Sequence, residues 1–238
     1  MEELEERLSR IIGDRQRGCS EILIDSLELL KDVERFYGRN RVAEVAGKIS
    51  RAHSGMIGLV RTLEKAVKNG VNEVLNDVAR ANELTSENLS EMAEGKCAVT
   101  VSRSGIVERG LRKASRVYVM ISRPGEEGRI MAETLGAYTD VRVIEDAEVG
   151  VYLRRSDLAV CGADAISAKG FLNKVGTLPL MCTAKHTGVE RFVATPLYKL
   201  VDKIVETHPF EFVDATLASL ITEKGLTSWL SLSSDRIL

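Results

Sequence analysis

The sequence predicts an α/β fold in which an N-terminal helical domain precedes a doubly wound parallel sheet. Two observations support this prediction. Up to residue 94 the chain contains no proline, and its apolar residues recur at the 3.6-residue spacing of a buried helix face. From residue 95 onward, short apolar segments rich in β-branched residues alternate with helical patterns. Such alternation is typical of parallel strands that are covered by helices on both faces.

Amphipathic stretches define the helical domain, predicted over residues 1–94. Each carries apolar residues on one stripe, as expected of helices that pack against one another. The stretches cover residues 4–12, 19–30, 42–67 and 74–84.

Five apolar segments define the strands of the second domain, predicted over residues 95–238. They read CAVTVS, VYVMIS, VRVIE, DLAVCG and RFVAT, with amphipathic segments near residues 106–114, 129–138 and 178–186. This order indicates a Rossmann-like sheet with right-handed crossovers. The pattern is least defined from residue 222 to the end.

Composition excludes several classes of function. The 33 basic and 35 acidic residues give a net charge of -2, so no large basic surface for direct nucleic-acid binding is expected. No apolar stretch approaches the roughly 20 residues of a membrane span, and the acidic start does not resemble a signal peptide. Cys19, Cys97, Cys161 and Cys182 lack metal-site spacing. We therefore expect buried, reduced thiols in a soluble cytoplasmic protein with no metal and no cofactor.

The loops that follow the strands are the candidate ligand site, because open parallel sheets bind ligands beyond the carboxyl ends of their strands. The loop after the first strand carries Ser102, Arg103 and Ser104, which suit an anion near a helix N-terminus. The loop after the second strand carries Arg123, with Gly128 just behind it. A guanidinium there can bind phosphate in two-point fashion. The alternative is an ordinary turn with a solvated arginine.

The loop after the DLAVCG strand gives the sharpest signal. Asp164 follows the buried strand directly, and Asn173 and Lys174 come soon after, before a helix predicted to start at Thr177. Desolvation would raise the pKa of an Asp164 carboxyl in this position and suit it to acid–base work. A helix-capping role for Asp164 is the alternative. The loop after RFVAT adds Lys199.

Motifs along almost the whole chain resemble those of a known family. GADAI with GFLNKVGT, ISRPGEEGR, DRQRGCSEI, RFVATPLYKL and PFEFVDATLASLITEKGL occur in the family's order. The chain resembles the family of translation initiation factor 2B alpha, beta and delta subunits, archaeal ribose-1,5-bisphosphate isomerases and methylthioribose-1-phosphate isomerases. That resemblance implies the same two-domain architecture and a homodimer or larger homo-oligomer.

The resemblance also implies roles for individual residues. The isomerases use a cysteine after the first strand together with the aspartate of the GAD motif. Counting from Gly95, Ser102 stands where they carry the cysteine, and Asp164 keeps the acid. Arg17 and Gly18 match an early phosphate-binding pair. Arg123, Asn173 and Lys174 match the family's phosphate and sugar contacts.

Three substitutions depart from the isomerase pattern. Ser102 lacks the acidity of a thiol and would need a neighbouring base, which no histidine is placed to supply. His53 replaces an arginine, and Glu127 replaces a glutamine. A carboxylate near a phosphate site is unfavourable unless it points away or pairs with Arg129. The histidines themselves are expected to be structural.

The sequence therefore predicts a subunit-like regulatory protein that binds a sugar phosphate or a nucleoside monophosphate without efficient isomerase chemistry. Its predicted partners are further copies of itself and translation initiation factors. The alternative is an aldose–ketose isomerase, for example of ribose 1,5-bisphosphate. A scaffold with an empty crevice is the third possibility.

Overall fold

The computed structural model describes residues 2–232. In this part of the chain the helices of the N-terminal region are α1 (Glu2–Gly13), α2 (Cys19–Tyr37), α3 (Arg39–Ala52), α4 (Ile57–Asn69) and α5 (Val71–Ala93). The later helices are α6 (Gly105–Gly110), α7 (Glu127–Leu135), α8 (Val149–Leu153) and α9 (Thr177–Thr187). The strands are β1 (Cys97–Thr100), β2 (Arg116–Met120), β3 (Asp140–Ile144), β4 (Leu158–Cys161), β5 (Ala165–Ser167), β6 (Gly170–Lys174), β7 (Glu190–Ala194), β8 (Phe210–Asp214), β9 (Ser219–Thr222) and β10 (Gly225–Thr227).

The central sheet has the order β10-β9-β7-β4-β1-β2-β3, and only its β9–β10 pair is antiparallel. The chain runs outward from β1 to β3 and then returns to β4 on the other side of β1. The crevice between the carboxyl ends of β1 and β4 is therefore the topological switch point, where such sheets bind ligands. The predicted fold class is confirmed.

Helices cover both faces of this sheet. Leu153, Leu180 and Met181 of α8 and α9 are buried against one face. On the other face, Ile106 of α6 and Met131 of α7 are buried in a separate apolar cluster. Aliphatic side chains dominate both clusters, as the low aromatic content predicts.

Helix α5 joins the helical region to the sheet. Val74 and Val78, in its first half, belong to the core of the helical region. Leu89 and Ala93, in its second half, belong to the core beneath the sheet. The helices end at Ala93 and the first strand begins at Cys97, but the packing boundary runs through α5. Because one continuous helix spans both cores, the two regions are held in a fixed relation.

Two predicted segments differ from the observed structure. The stretch predicted over residues 42–67 is broken into α3 and α4 by a turn at residues 53–56. The segment after β4, expected to be a loop, instead forms β5 and β6, and β6 pairs antiparallel with both β5 and β8 in a second sheet. Gly170 permits this pairing because it has a φ of 149°, and a Cβ there would lie 2.1 Å from the carbonyl oxygen of Val213.

Candidate functional site

A cavity of about 330 Å³ lies at the switch point, between the sheet and the helical region. The α1–α2 loop and the α3–α4 turn contribute one side of it. The loops after β1 and β4 and the end of β6 contribute the other. Of the residues predicted from sequence, the cavity wall includes Arg17, Gly18, Ser102, Arg103, Ser104, Asp164, Asn173, Lys174 and Lys199.

Ser102 and Ser122 hold unusual backbone conformations at neighbouring strand ends. Their φ angles are 64° and 68°, in the left-handed region that non-glycine residues seldom adopt. The Ser102 amide donates a hydrogen bond to Ser122 Oγ at 2.6 Å, and Ser122 Oγ donates to the Met120 carbonyl at 2.9 Å. Each such conformation costs on the order of 1–3 kcal/mol and is typically found at functional sites.

Glu127 lies inside the cavity and contacts both Ser102 and Lys174. Its Oε1 atom accepts a hydrogen bond from Ser102 Oγ at 2.9 Å and one from Lys174 Nζ at 2.7 Å. Arg129 instead pairs with the exposed Glu126. Glu127 therefore neither points away from the cavity nor pairs with Arg129, the two arrangements in which a carboxylate beside a phosphate would be tolerated. Ser102 also has the neighbouring base that sequence reasoning failed to find, and this base is a carboxylate and not a histidine.

Asp164 is a buried carboxyl on the cavity wall. Burial raises its pKa to about 6, although the ammonium groups of Lys199 and Lys174 oppose the rise and Glu127 adds to it. Lys199, itself buried, donates from Nζ to the Ala163 carbonyl at 2.7 Å. A group that titrates near neutrality can both take up and release protons at physiological pH.

Close backbone packing fixes the position of Asp164. The amide of Gly58 donates to the Asp164 carbonyl at 3.2 Å. A Cβ atom on Gly58 would lie 2.5 Å from the same oxygen. The start of α4 can therefore approach the loop after β4 only because position 58 is a glycine.

Asn173 and Lys174 lie on a strand and not in a loop. They end β6, next to the start of α9. Asn173 Nδ2 donates to Thr177 Oγ1 at 2.8 Å, and Thr177 Oγ1 donates to the Lys174 carbonyl at 2.7 Å. The amide of Asn173 is thereby held rigidly in the wall.

Two predicted arginines meet the cavity at the start of α2, Arg17 from the loop before this helix and Arg103 from the loop after β1. Arg17 pairs with Asp14 at 2.5 Å and with Asp25 at 2.6 Å. Arg103 pairs with Glu21 at 3.0 Å. A Cβ on Gly18 would lie 2.8 Å from the Arg103 carbonyl oxygen, so glycine lets the helix start approach the loop after β1. The first amides of this 19-residue helix suit an anion.

Two predicted ligand residues have packing roles in the structure. Ser104 Oγ accepts from the Val107 amide at 3.4 Å and so caps α6, although its side chain also lines the cavity. Gly128 does not line the cavity. A Cβ there would lie 1.9 Å from the Met120 carbonyl oxygen, so it permits α7 to pack directly on β2.

Arg123 is not placed in the cavity. Its side chain is 55% exposed and pairs with Glu126 at 2.6 Å and Glu145 at 3.6 Å. Its backbone amide donates to Asp146. These contacts direct the loop after β2 outward, so the prediction that Arg123 joins Asp164 in one site is not met by this geometry.

The sequence reasoning missed two histidines that line the cavity. His53 is buried, and its Nε2 atom lies 2.7 Å from the Ile11 carbonyl oxygen. Burial lowers the pKa of its imidazole. His208, in the segment before β8, lines the cavity together with Phe210, the first residue of β8. In the sequence, the one indication that a histidine lies at the site was that His53 stands where the related isomerases carry an arginine.

Other features bear on the class of site. Among residues 2–232 there is no cluster of three side chains suited to a metal ion, and no helix is long and apolar enough to cross a membrane.

All four cysteines are free. Cys19 and Cys161 are buried as expected, but Cys97 is half-buried and Cys182 is exposed. Burial raises the pKa of the Cys19 thiol to about 11, so this cavity-lining group is not a ready nucleophile.

Fold and site together define a Rossmann-like α/β protein with a helical N-terminal region and a polar cavity at the switch point of its sheet. The chain belongs to the initiation factor 2 subunit family, whose model matches residues 39–217.

Relatives in sequence include two named as isomerases. The chain is 29% identical, over 66% of its length, to the ribose 1,5-bisphosphate isomerase of Methanocaldococcus jannaschii, and this match covers 48% of that protein. It is 30% identical, over 49% of its length, to the methylthioribose-1-phosphate isomerase of Ostreococcus lucimarinus, with 35% of that protein covered. The matched region thus spans less than half the length of both relatives.

Solved structures support the same fold. The Pyrococcus horikoshii translation initiation factor eIF-2B superposes with a TM-score of 0.83 at 20% identity, covering 100% of each chain. The 5-methylthioribose 1-phosphate isomerase from the same organism gives 0.70 at 15% identity, covering 94% of this chain and 84% of that one. At these identities the likeness concerns the fold alone.

Proposed function

We propose that the protein binds a phosphorylated sugar or a nucleotide in the switch-point cavity and acts as a regulatory, subunit-like protein without efficient isomerase chemistry. The observation that carries this proposal is the composition of the cavity. The start of a long helix and two arginines suit the phosphate, while Asp164 and Asn173 suit the hydroxyl groups of a sugar.

The regulatory part of the proposal rests on Ser102. Related isomerases, by the resemblance of their motifs, carry a cysteine at this position. A hydroxyl is far less acidic than a thiol with a pKa near 8.5. Solved neighbours described as translation initiation factors and not as enzymes supply the precedent for a regulatory chain with this fold.

An aldose–ketose isomerase is the second candidate, and the geometry around Ser102 favours it. For a sugar 1-phosphate in its ring form, the reaction moves a proton from C2 to C1, breaks the bond between C1 and the ring oxygen, and transfers the proton of the 2-hydroxyl to that oxygen. Asp164, whose pKa is about 6, could carry that proton. Glu127 accepts the hydrogen bond of Ser102 and could serve as its base.

Ribose 1,5-bisphosphate separates the two candidates. The regulatory proposal expects phosphorylated ligands to raise the melting temperature, with no ribulose 1,5-bisphosphate formed in a phosphorus NMR assay. Turnover that disappears in Asp164→Asn, but persists in the exposed control Asp202→Asn, would establish the isomerase instead. Activity gained in Ser102→Cys would support the role assigned to the missing thiol. Absence of any thermal shift would contradict both candidates.

Self-association and translation partners belong to the same proposal. One solved neighbour is described as a tetrameric complex of eIF2B beta and delta subunits. For this chain we propose a homodimer or larger homo-oligomer and contact with translation initiation factors, in the cytoplasm, where free cysteines are usual. Sedimentation velocity of the purified protein tests the first point, and a purely monomeric species at micromolar concentration would refute it.

A further inference from the structure

The charges around the cavity are balanced within the protein itself. The cations that line it are Arg15, Arg17, Arg103, Lys174 and Lys199. Five carboxyl groups line the cavity or form ion pairs with these cations, namely Asp14, Glu21, Asp25, Glu127 and Asp164. The site is therefore far less positive than a count of its arginines and lysines suggests.

The cations differ in how freely they can meet a ligand. Arg15 has no carboxylate partner among the described residues, since its guanidinium donates to the carbonyls of Ile12 and Asp14. It lies beside Arg17 in the loop that leads into α2. This helical side of the cavity therefore offers a guanidinium and the first amides of a long helix to one phosphate group.

Lys174, on the sheet side, is already neutralised. Its ammonium lies 2.7 Å from Glu127, and both side chains are nearly buried, with exposures of 13% and 10%. Ser102 donates to the same carboxylate oxygen. A Cβ on Gly125 would lie 2.3 Å from the second carboxylate oxygen of Glu127 and 3.1 Å from Lys174 Nζ. The carboxylate of Glu127 thus occupies the space beside the Gly125 backbone that a side chain at position 125 would fill.

We propose that the cavity selects a ligand with a single phosphate group, such as a sugar monophosphate or a nucleoside monophosphate, and that Glu127 excludes a second phosphate at the sheet side. The phosphate binds at the start of α2, and uncharged hydroxyl groups donate to the carboxyl groups of Glu127 and Asp164. This inference rests on the proposed function, because it specifies the ligand of the same cavity.

The charges set the expected difference in affinity between a monophosphate and a bisphosphate. A phosphate monoester carries about −1.5 to −2 charges near neutral pH, so a bisphosphate brings a second group of that charge to the Glu127 carboxylate. At about 5 Å and an effective dielectric constant near 20, repulsion between two unit charges alone would lower affinity on the order of a hundredfold. The ammonium of Lys174, paired with Glu127, offsets part of this repulsion, so we expect a difference of at least about tenfold.

Calorimetric titration with ribose 5-phosphate and ribose 1,5-bisphosphate tests the inference, since the two probes differ by one phosphate. Wild-type protein is expected to bind the monophosphate at least about tenfold more tightly. Glu127→Gln keeps the shape of the side chain and removes its charge. It should raise the affinity for the bisphosphate relative to that for the monophosphate at least about tenfold.

Glu126→Gln is the matched control, because Glu126 is exposed, lies outside the cavity and pairs with Arg123 and Arg129. It should leave both affinities unchanged. Tighter binding of the bisphosphate by wild-type protein would overturn the inference, whether or not Glu127→Gln folds, and would leave the proposed function standing. Binding of neither probe, nor of adenosine monophosphate, would instead overturn the proposed function.

Discussion

Replacing Asp164 by asparagine should stabilise the protein at neutral pH and have little effect in acid. The pKa of this carboxyl is raised from 3.8 to about 6, chiefly by burial. Each pKa unit corresponds to about 1.36 kcal/mol, so ionised Asp164 lowers the free energy of unfolding by about 3 kcal/mol above pH 6. Asparagine carries no charge to desolvate and should relieve that cost.

The pH dependence gives the sharper test. Between about pH 4 and pH 6 the folded state retains a proton that the unfolded state has lost, so this group makes stability fall as pH rises through that window. Urea denaturation of both proteins, followed by circular dichroism from about pH 4 to pH 8, should show the advantage of Asp164→Asn growing by about 3 kcal/mol. Because the protein has 238 residues, this corresponds to roughly 10 °C in melting temperature.

A surface aspartate provides the control. Asp202 is 79% exposed and lies 3.5 Å from Arg61, so Asp202→Asn should change stability by less than about 1 kcal/mol at every pH. A difference between wild type and Asp164→Asn that does not vary with pH would refute the reasoning. The reasoning would also be refuted if Asp164→Asn lost stability relative to the wild type as the pH rises.

Three further substitutions test the packing and charge arguments by urea denaturation. Gly128→Ala should destabilise the protein by about 1–3 kcal/mol or more, because its methyl group would overlap the β2 backbone; Gly13→Ala, in open space, should not destabilise it. Lys174→Met should cost about 3–5 kcal/mol because it leaves the Glu127 carboxylate buried and unpaired, and adding Glu127→Gln should recover much of the loss. Arg123→Ala should change stability by less than about 1 kcal/mol and leave binding of ribose 5-phosphate unaltered, because the side chain is exposed and outside the cavity.

A specific result would contradict each of these three predictions. Wild-type stability in Gly128→Ala would show that α7 does not pack on β2 as closely as described. A loss in the double variant equal to the sum of the losses in Lys174→Met and Glu127→Gln would show that the two side chains are not coupled. Loss of ligand binding in Arg123→Ala would show that Arg123 contributes to the ligand site, as the sequence pattern alone predicts.

Local sequence was sufficient for the parts of the fold that depend on periodicity. The helical pattern before residue 94 and the apolar segments after it correspond to the helices and parallel strands observed, because burial of one face imposes a spacing that the chain itself displays. Ser102 and Asp164 could be placed at the cavity for the same reason. Each follows a buried parallel strand directly, and such strands end at one edge of the sheet.

Contacts between distant segments were decided only by the tertiary structure. Strand β6 pairs with β8, about 40 residues further along the chain, and this partner is not visible in the local sequence, where the glycines around β6 suggest a loop. Arg123 and Glu127 are four residues apart in one loop and helix start, yet one faces outward and the other faces into the cavity. Their directions depend on Glu145 for the first and on Ser102 and Lys174 for the second. The sequence alone therefore determined which residue types stand at the strand ends, because that follows from spacing along the chain. Which charges meet was decided in three dimensions, because electrostatic partners are chosen by distance in space and by burial.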